Sequence, residues 1–241
     1  MEYAITTDHL TKTFGAFTAV NAISFEVAAG EIFGFLGANG AGKTTALKML
    51  TGLLTPSSGK ATVAGFDVWR NPEQVKRRIG YMSQKFSLYE DLTVRENIRF
   101  YGGIYGLRRA DIRAKTATLL NNLQLEPYAD QLVAGLPLGW RQKLAFSVAL
   151  LHQPRIVFLD EPTSGVDPLT RRQFWDLIYE AAHQGVTLMV TTHYMDEAEY
   201  CDRVSIMVDG KIEALDTPRN MKKSFQADDM DEVFRKLARN T

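Results

Sequence analysis

Eight residues, Gly37-Ala38-Asn39-Gly40-Ala41-Gly42-Lys43-Thr44, carry the plainest chemistry in the chain. A short apolar run, Ile32-Phe33-Gly34-Phe35-Leu36, precedes them and reads as a buried strand. Thr45, Ala46, Leu47, Met49 and Leu50 follow in helical rhythm before Gly52. The pattern G-x-x-x-x-G-K-T between strand and helix is a phosphate-binding loop. Its glycines let backbone N–H groups turn inward around phosphate oxygens, and the helix N-terminus adds partial positive charge. Lys43 is placed for the β- and γ-phosphates and the Thr44 hydroxyl for Mg²⁺.

A second chemical group lies at 160–161. Arg155-Ile156-Val157-Phe158-Leu159-Asp160-Glu161-Pro162 reads as a buried strand ending in two acids. Pleat alternation points successive side chains to opposite faces. On that basis Asp160 is expected to hold a metal shell, and Glu161 to act as general base or to position a water. Two further strands deliver polar residues to their tips. Ile79-Gly80-Tyr81-Met82-Ser83-Gln84 ends in the amide of Gln84. Val186-Thr187-Leu188-Met189-Val190-Thr191-Thr192-His193 ends in an imidazole able to hydrogen-bond a γ-phosphate.

The elements that must position these groups alternate between strand and helix, with one interruption. Tyr3-Ala4-Ile5 and residues 23–27 are strand-like, and Phe14 falls in an early loop, Thr11-Lys12-Thr13-Phe14-Gly15. Ala61-Thr62-Val63-Ala64-Gly65 reads as a strand and residues 72–78 as a short helix with Pro72 in its first turn. From 91 to 152 the pattern is helical. Thr93 and Glu96 form a capping box, Val94, Ile98, Tyr101 and Tyr105 share a face, and further helices are expected at 110–125 and from Gly139 to His152. After the acids, Ser164-Gly165-Val166-Asp167-Pro168 is a turn into a helix over 170–183. Residues 203–215 form a hairpin around Asp209-Gly210. Helices are expected at 218–223 and 230–238.

Composition narrows the class. The 241 residues are 45% hydrophobic and 23% charged, ordinary for a globular α/β chain. Lys plus Arg and Asp plus Glu each number 28, so no basic excess argues for nucleic acid as a partner. The single cysteine, Cys201, excludes an intrachain disulfide and fits a packing role in a reducing compartment. The start, Met1-Glu2-Tyr3-Ala4-Ile5-Thr6-Thr7-Asp8, reads as lacking a leader. No apolar run approaches the ~18 residues of a membrane span. Any membrane role is therefore expected through a partner.

Taken in order, these motifs resemble the ATP-binding cassette of ABC transporters, from Phe14 to the C-terminal hairpin. The resemblance implies a single domain over 1–241. It would comprise a P-loop NTPase (RecA-like) α/β core (1–90 and 153–241), an N-terminal antiparallel β-subdomain and an inserted helical subdomain (91–152). It implies ATP and Mg²⁺ as ligands. Phe14 would be the adenine-stacking aromatic, and Gly37, Asn39, Gly40, Ala41, Gly42, Lys43, Thr44 and Thr45 the nucleotide cradle. Thr44, Gln84 and Asp160 would face the metal, with Glu161, His193 and Gln84 catalytic. Ser164, Gly165 and Asp167 match the D-loop. Leu136-Pro137-Leu138-Gly139-Trp140 stands where the family has L-S-G-G-Q, the segment that meets ATP on the opposite subunit. Pro137 replaces its serine, while the following Arg141-Gln142-Lys143-Leu144-Ala145 still matches.

Residues 90–97 and 163–168 look like the ABC-2, export-type branch. The implied partners are a second cassette and a separate membrane permease, at the cytoplasmic face of the membrane. The chain shows no N-K-x-D guanine reader, no long heptad coiled coil and no tandem second cassette. GTPases, chromosome-organising ATPases and ribosome-acting cassettes therefore fit less well.

Overall fold

A computed structural model describes residues 2–84 and 87–239; Met1, residues 85–86 and residues 240–241, and with them the ends of the expected 1–241 span, lie outside the described residues. Two sheets face each other. Strands β1 (Tyr3–Phe14), β2 (Phe17–Ala28), β4 (Ser58–Val63) and β5 (Phe66–Asp67) form an antiparallel sheet in the order β2-β1-β4-β5. Strands β3 (Ile32–Gly37), β6 (Ile79–Met82), β7 (Ile156–Asp160), β8 (Thr187–Thr192), β9 (Arg203–Val208) and β10 (Lys211–Asp216) form the second, in the order β10-β9-β3-β8-β7-β6. All its pairings are parallel except the β9–β10 hairpin.

The parallel strands are buried on both faces, which is why they read as unbroken apolar runs. Pleating sorts their side chains. Phe33, Phe35, Ile156, Phe158, Met189 and Met207 pack with Leu47 and Met49 toward the antiparallel sheet. Val157, Leu159, Leu188, Val190, Val204 and Ile206 pack on the other face with Phe146, Phe174 and Trp175. That second face is covered by helices α3 (Val94–Ile104), α4 (Arg109–Leu123), α5 (Leu138–Ala149) and α6 (Pro168–His183), each after the shorter α1 (Lys43–Leu50) and α2 (Pro72–Lys76) in the chain. Helices α7 (Pro218–Ser224) and α8 (Met230–Arg239) follow, with Met221, Met230 and Val233 buried against the same core. The Thr93–Glu96 capping box forms as the sequence indicates. Cys201 is buried, its thiol pushed up by burial, and its sulfur would meet a Cβ at Gly34.

Three expectations need correction. Phe14 ends a strand instead of lying in a loop. Beyond Leu10 the strand is solvated, so its polar residues hide it, yet it pairs through Phe14↔Phe17 across Gly15-Ala16. Residues 64–65 are a turn, not strand: Ala64 and Gly65 have φ of 51° and 81° and join Val63 to Phe66. The strand read over 79–84 stops at Met82, so Gln84 stands two residues beyond the sheet.

One glycine in this framework has a sharp consequence. A Cβ on Gly80 of β6 would sit 2.3 Å from the Ala149 carbonyl oxygen at the end of α5. Gly80→Ala therefore has to push the helix off the strand. The expected loss is about 1–3 kcal/mol, read as a fall of roughly 2–4 °C per kcal/mol in the thermal midpoint. An unchanged midpoint would mean that α5 is not seated on β6 in this way.

Candidate functional site

Because β3, β8, β7 and β6 are adjacent and parallel, their C-terminal ends open on one edge of the sheet. That edge is where open α/β sheets present their ligand crevice. It receives Lys43 and Thr44 after β3, His193 after β8, Asp160 and Glu161 from the end of β7, and Gln84 after β6.

The loop after β3 is shaped by close backbone approach. Gly42, the N-cap of α1, has φ 106°, and a Cβ there would lie 2.3 Å from the Ala19 carbonyl oxygen. No side chain caps this helix start, so its first amides keep no side-chain partner and stay available to a ligand. Ala38, Asn39 and Gly40 form an exposed lip, Ala41 is buried beneath it and Thr45 is half-buried. Lys43 is 4% exposed. Its Nζ donates to the carbonyls of Gly37 (2.8 Å) and Ala38 (3.1 Å) and lies 3.4 Å from Glu161 Oε1. Burial pulls its pKa below the ordinary lysine value, with the Glu161 charge opposing. A cation so placed gains from any anion brought into the cradle.

The two acids are arranged differently from the pleat expectation. Asp160 closes β7, but Glu161 has φ 50°, in the left-handed region, so alternation does not govern it. Both carboxylates instead come to the same edge with separate partners. Asp160 Oδ1 accepts from Thr44 Oγ1 (3.0 Å) and Thr191 Oγ1 (2.8 Å). Burial pushes the Asp160 carboxyl up, against the pull of those two hydroxyls. Glu161 Oε2 accepts from Gln84 Nε2 (2.9 Å) and stands 3.1 Å from His193 Nδ1. Nδ1 can donate to that oxygen in the tautomer that carries the proton there. The structure thus places Gln84 beside Glu161, whereas sequence reading also set it toward a metal at Asp160.

Thr191 is the residue that sequence reading passed over. The Glu161 backbone N–H lies 3.0 Å from its hydroxyl and 3.1 Å from its carbonyl, and the same hydroxyl donates to Asp160. Thr191 is fully buried and orients both acids at once. Its signal was a polar pair, Thr191-Thr192, closing a strand whose middle, Leu188-Met189-Val190, is apolar.

Other expected residues stand outside this cluster in the structure. Phe14 is 51% exposed, with Lys12 Nζ 5.2 Å from its ring centroid. Leu136 is buried and Pro137, at the N-cap of α5, is extended. Leu138 lines the turn at Gly165, and Gly139 is pressed on Thr170, where a Cβ would lie 2.4 Å from Cγ2. Trp140 meets Tyr128 edge-on. On the turn after the acids, Ser164 N–H donates to the Glu161 carbonyl (3.2 Å), Gly165 has φ 78°, and Asp167 caps α6 through the Thr170 N–H (3.0 Å). That turn and the start of α5 are therefore packed against each other.

Comparison with known proteins bears on the family and the fold. The family model described as ABC transporter matches residues 20–164. The "Probable multidrug ABC transporter ATP-binding protein YbhF" of Escherichia coli K12 is 49% identical over 228 residues, covering 95% of this chain but 39% of that protein. The Nod factor export ATP-binding protein I of Paraburkholderia xenovorans LB400 is 38% identical over 234 residues, covering 97% of this chain and 77% of that protein. A solved structure of an ATP-binding subunit of an ABC transporter superposes with a TM-score of 0.87 at 28% identity, covering 98% of this chain and 99% of that one.

Proposed function

The chain belongs to the ABC transporter family, and from that premise we propose that it binds and hydrolyses ATP to drive transport through a separate membrane permease. The observation that carries this reading is the convergence of Lys43, Thr44, Gln84, Asp160, Glu161 and His193 on one sheet edge. The loop over 37–44 would hold the phosphates through its backbone amides and Lys43. Phe14, at the exposed hairpin tip, would take the adenine face. Thr44 and Asp160 offer a hydroxyl and a carboxylate 3.0 Å apart, hard oxygen donors that suit Mg²⁺. Among the described residues there is no cluster of three or more His, Cys, Asp or Glu side chains able to hold a metal. At phosphate sites magnesium is held by one or two protein groups together with the phosphates. When bound, it would neutralise developing charge on the phosphates.

Glu161 would orient the attacking water and accept its proton. Gln84 and His193 both meet that carboxylate at Oε2, and Nε2 of His193 would donate to the γ-phosphate when both ring nitrogens carry protons. We take residues 91–152 as the helical subdomain and 136–140 as the segment that meets ATP on a second cassette. ATP would then close two cassettes head to tail, and hydrolysis would release them. A cleft of about 680 Å³, lined by Gln84, Leu88, Tyr89, Leu138 and Arg141 among others, joins the Gln84 loop to α5 and offers the permease a seat that senses closure. The place proposed for the chain is the cytoplasmic membrane face, beside the permease; no described helix is long and apolar enough to cross a membrane. The names of the relatives support export as the direction. Purification of the tagged chain from detergent-solubilised membranes tests the whole: an integral membrane protein should accompany it and stimulate its Mg²⁺-dependent ATPase. Recovery of the chain alone, with unstimulated turnover, would count against the transport reading.

Pro137 gives a further test. At the N-cap of α5 it supplies neither hydroxyl nor N–H, where a serine would offer a hydrogen bond to a charged phosphate of roughly 1.5–3 kcal/mol. Closure is therefore expected to be weak in the isolated chain and to lean on its partners. In a Glu161→Gln background, Pro137→Ser should raise the ATP-dependent dimer fraction on gel filtration. An unchanged fraction would mean that the missing serine is compensated within the chain.

A further inference from the structure

A ring of side chains runs from Glu161 out to α6 and back. His193 touches Glu161 through one ring nitrogen, at 3.1 Å. A single contact at a strand tip leaves an imidazole free to swing unless its face is packed. The next residue packs it: the His193 and Tyr194 ring centroids are 4.2 Å apart, with planes inclined 37°. Tyr194 lies in turn under the guanidinium of Arg171, whose central carbon is 4.0 Å from the ring centroid. Arg171 projects from the first turn of α6 with only 18% of its side chain exposed. It reaches Asp196 Oδ2 at 3.2 Å and approaches Glu197 Oε1 at 3.6 Å. Glu197 is fully buried and accepts from Thr163 Oγ1 at 2.6 Å. Thr163 follows Glu161 by two residues, which closes the ring.

The energetics of the ring set it apart from ordinary packing. Arg171 Nε and Glu197 Oε2 are buried among the described residues without a hydrogen-bond partner. Such atoms cost stability, and a buried pair is often no better than an apolar replacement. What the pair does gain is a guanidinium fixed over Tyr194, and so a fixed ring against His193.

We propose that Arg171 and Tyr194 are positioning residues that hold the His193 imidazole against Glu161, with Glu197 anchoring Arg171. The inference rests on the reading of Glu161 and His193 as the hydrolytic pair. It places the sensor of the γ-phosphate under the control of the first turn of α6, which begins at the Asp167 cap.

A double-mutant cycle on the full chain tests it. Arg171→Gln and Tyr194→Leu should each lower kcat about tenfold, with KM for ATP unchanged. Tyr194→Phe, which keeps the ring, should retain most of what Tyr194→Leu loses. In a His193→Ala background neither Arg171→Gln nor Tyr194→Leu should lower kcat further. Equal fractional losses in both backgrounds, or equal losses for Phe and Leu, would overturn the proposal. A second readout does not depend on turnover. The His193 imidazole NMR signal, identified by its absence in His193→Ala, should shift in Arg171→Gln and Tyr194→Leu while those of His9 and His183 stay. An unmoved His193 signal would contradict the proposal even if the chain hydrolysed no ATP, whereas absent turnover with a shifted signal would count only against the hydrolytic reading.

Discussion

Glu161→Gln is expected to lower steady-state ATP turnover by on the order of 10² or more while leaving nucleotide binding in place. The substitution keeps the side chain's length and planarity, so the loop at φ 50° and the backbone bonds to Thr191 are not asked to move. What it removes is the proton acceptor. It also removes a charge from the acid that touches Lys43, Gln84 and His193 together. Gln84 and His193 both meet Glu161 at Oε2, and an amide can still accept there through its oxygen. The scaffold should thus persist without its base, and the ATP-bound chain should accumulate as a dimer. Turnover of the variant equal to that of the parent would remove Glu161 from the chemistry.

Lys43→Ala acts one step earlier. Lys43 is the buried cation of the site, held by two loop carbonyls and one carboxylate. A charge-assisted bond is worth roughly 1.5–3 kcal/mol, and Lys43 is placed to make such bonds to two phosphates. ATP affinity should fall by on the order of 10². The variant also leaves Asp160 and Glu161 close together at the cradle without their cation, and that repels a polyanion further. Calorimetric titration of both chains reads this directly, and equal affinities would contradict the cradle assignment.

Much of this was legible in the sequence because the relevant strands are buried on both faces. Residues 32–36, 156–159 and 188–190 announce themselves as apolar runs, and the groups that matter come after each run. The capping box at Thr93 and the hairpin at Asp209-Gly210 are local signals, and both formed. Tertiary detail was not legible. The end of β1 is solvated, so Phe14 looked like loop. The pleat rule predicted opposed acids and failed at Glu161, where a left-handed residue breaks the alternation. Thr191 and Arg171 reach the site only through cross-strand register and the angle of α6, neither of which a single sequence displays.

The most direct measurement is the identity of the nucleotide recovered with the protein after a single turnover. The parent chain and Glu161→Gln are each loaded with ATP and Mg²⁺, separated from free nucleotide, denatured and analysed by chromatography. If Lys43 and the loop bind and Glu161 supplies the base, the parent yields ADP and the variant yields ATP in comparable amount. ADP from both chains, or nucleotide from neither, would contradict the assignment of this sheet edge as the hydrolytic site.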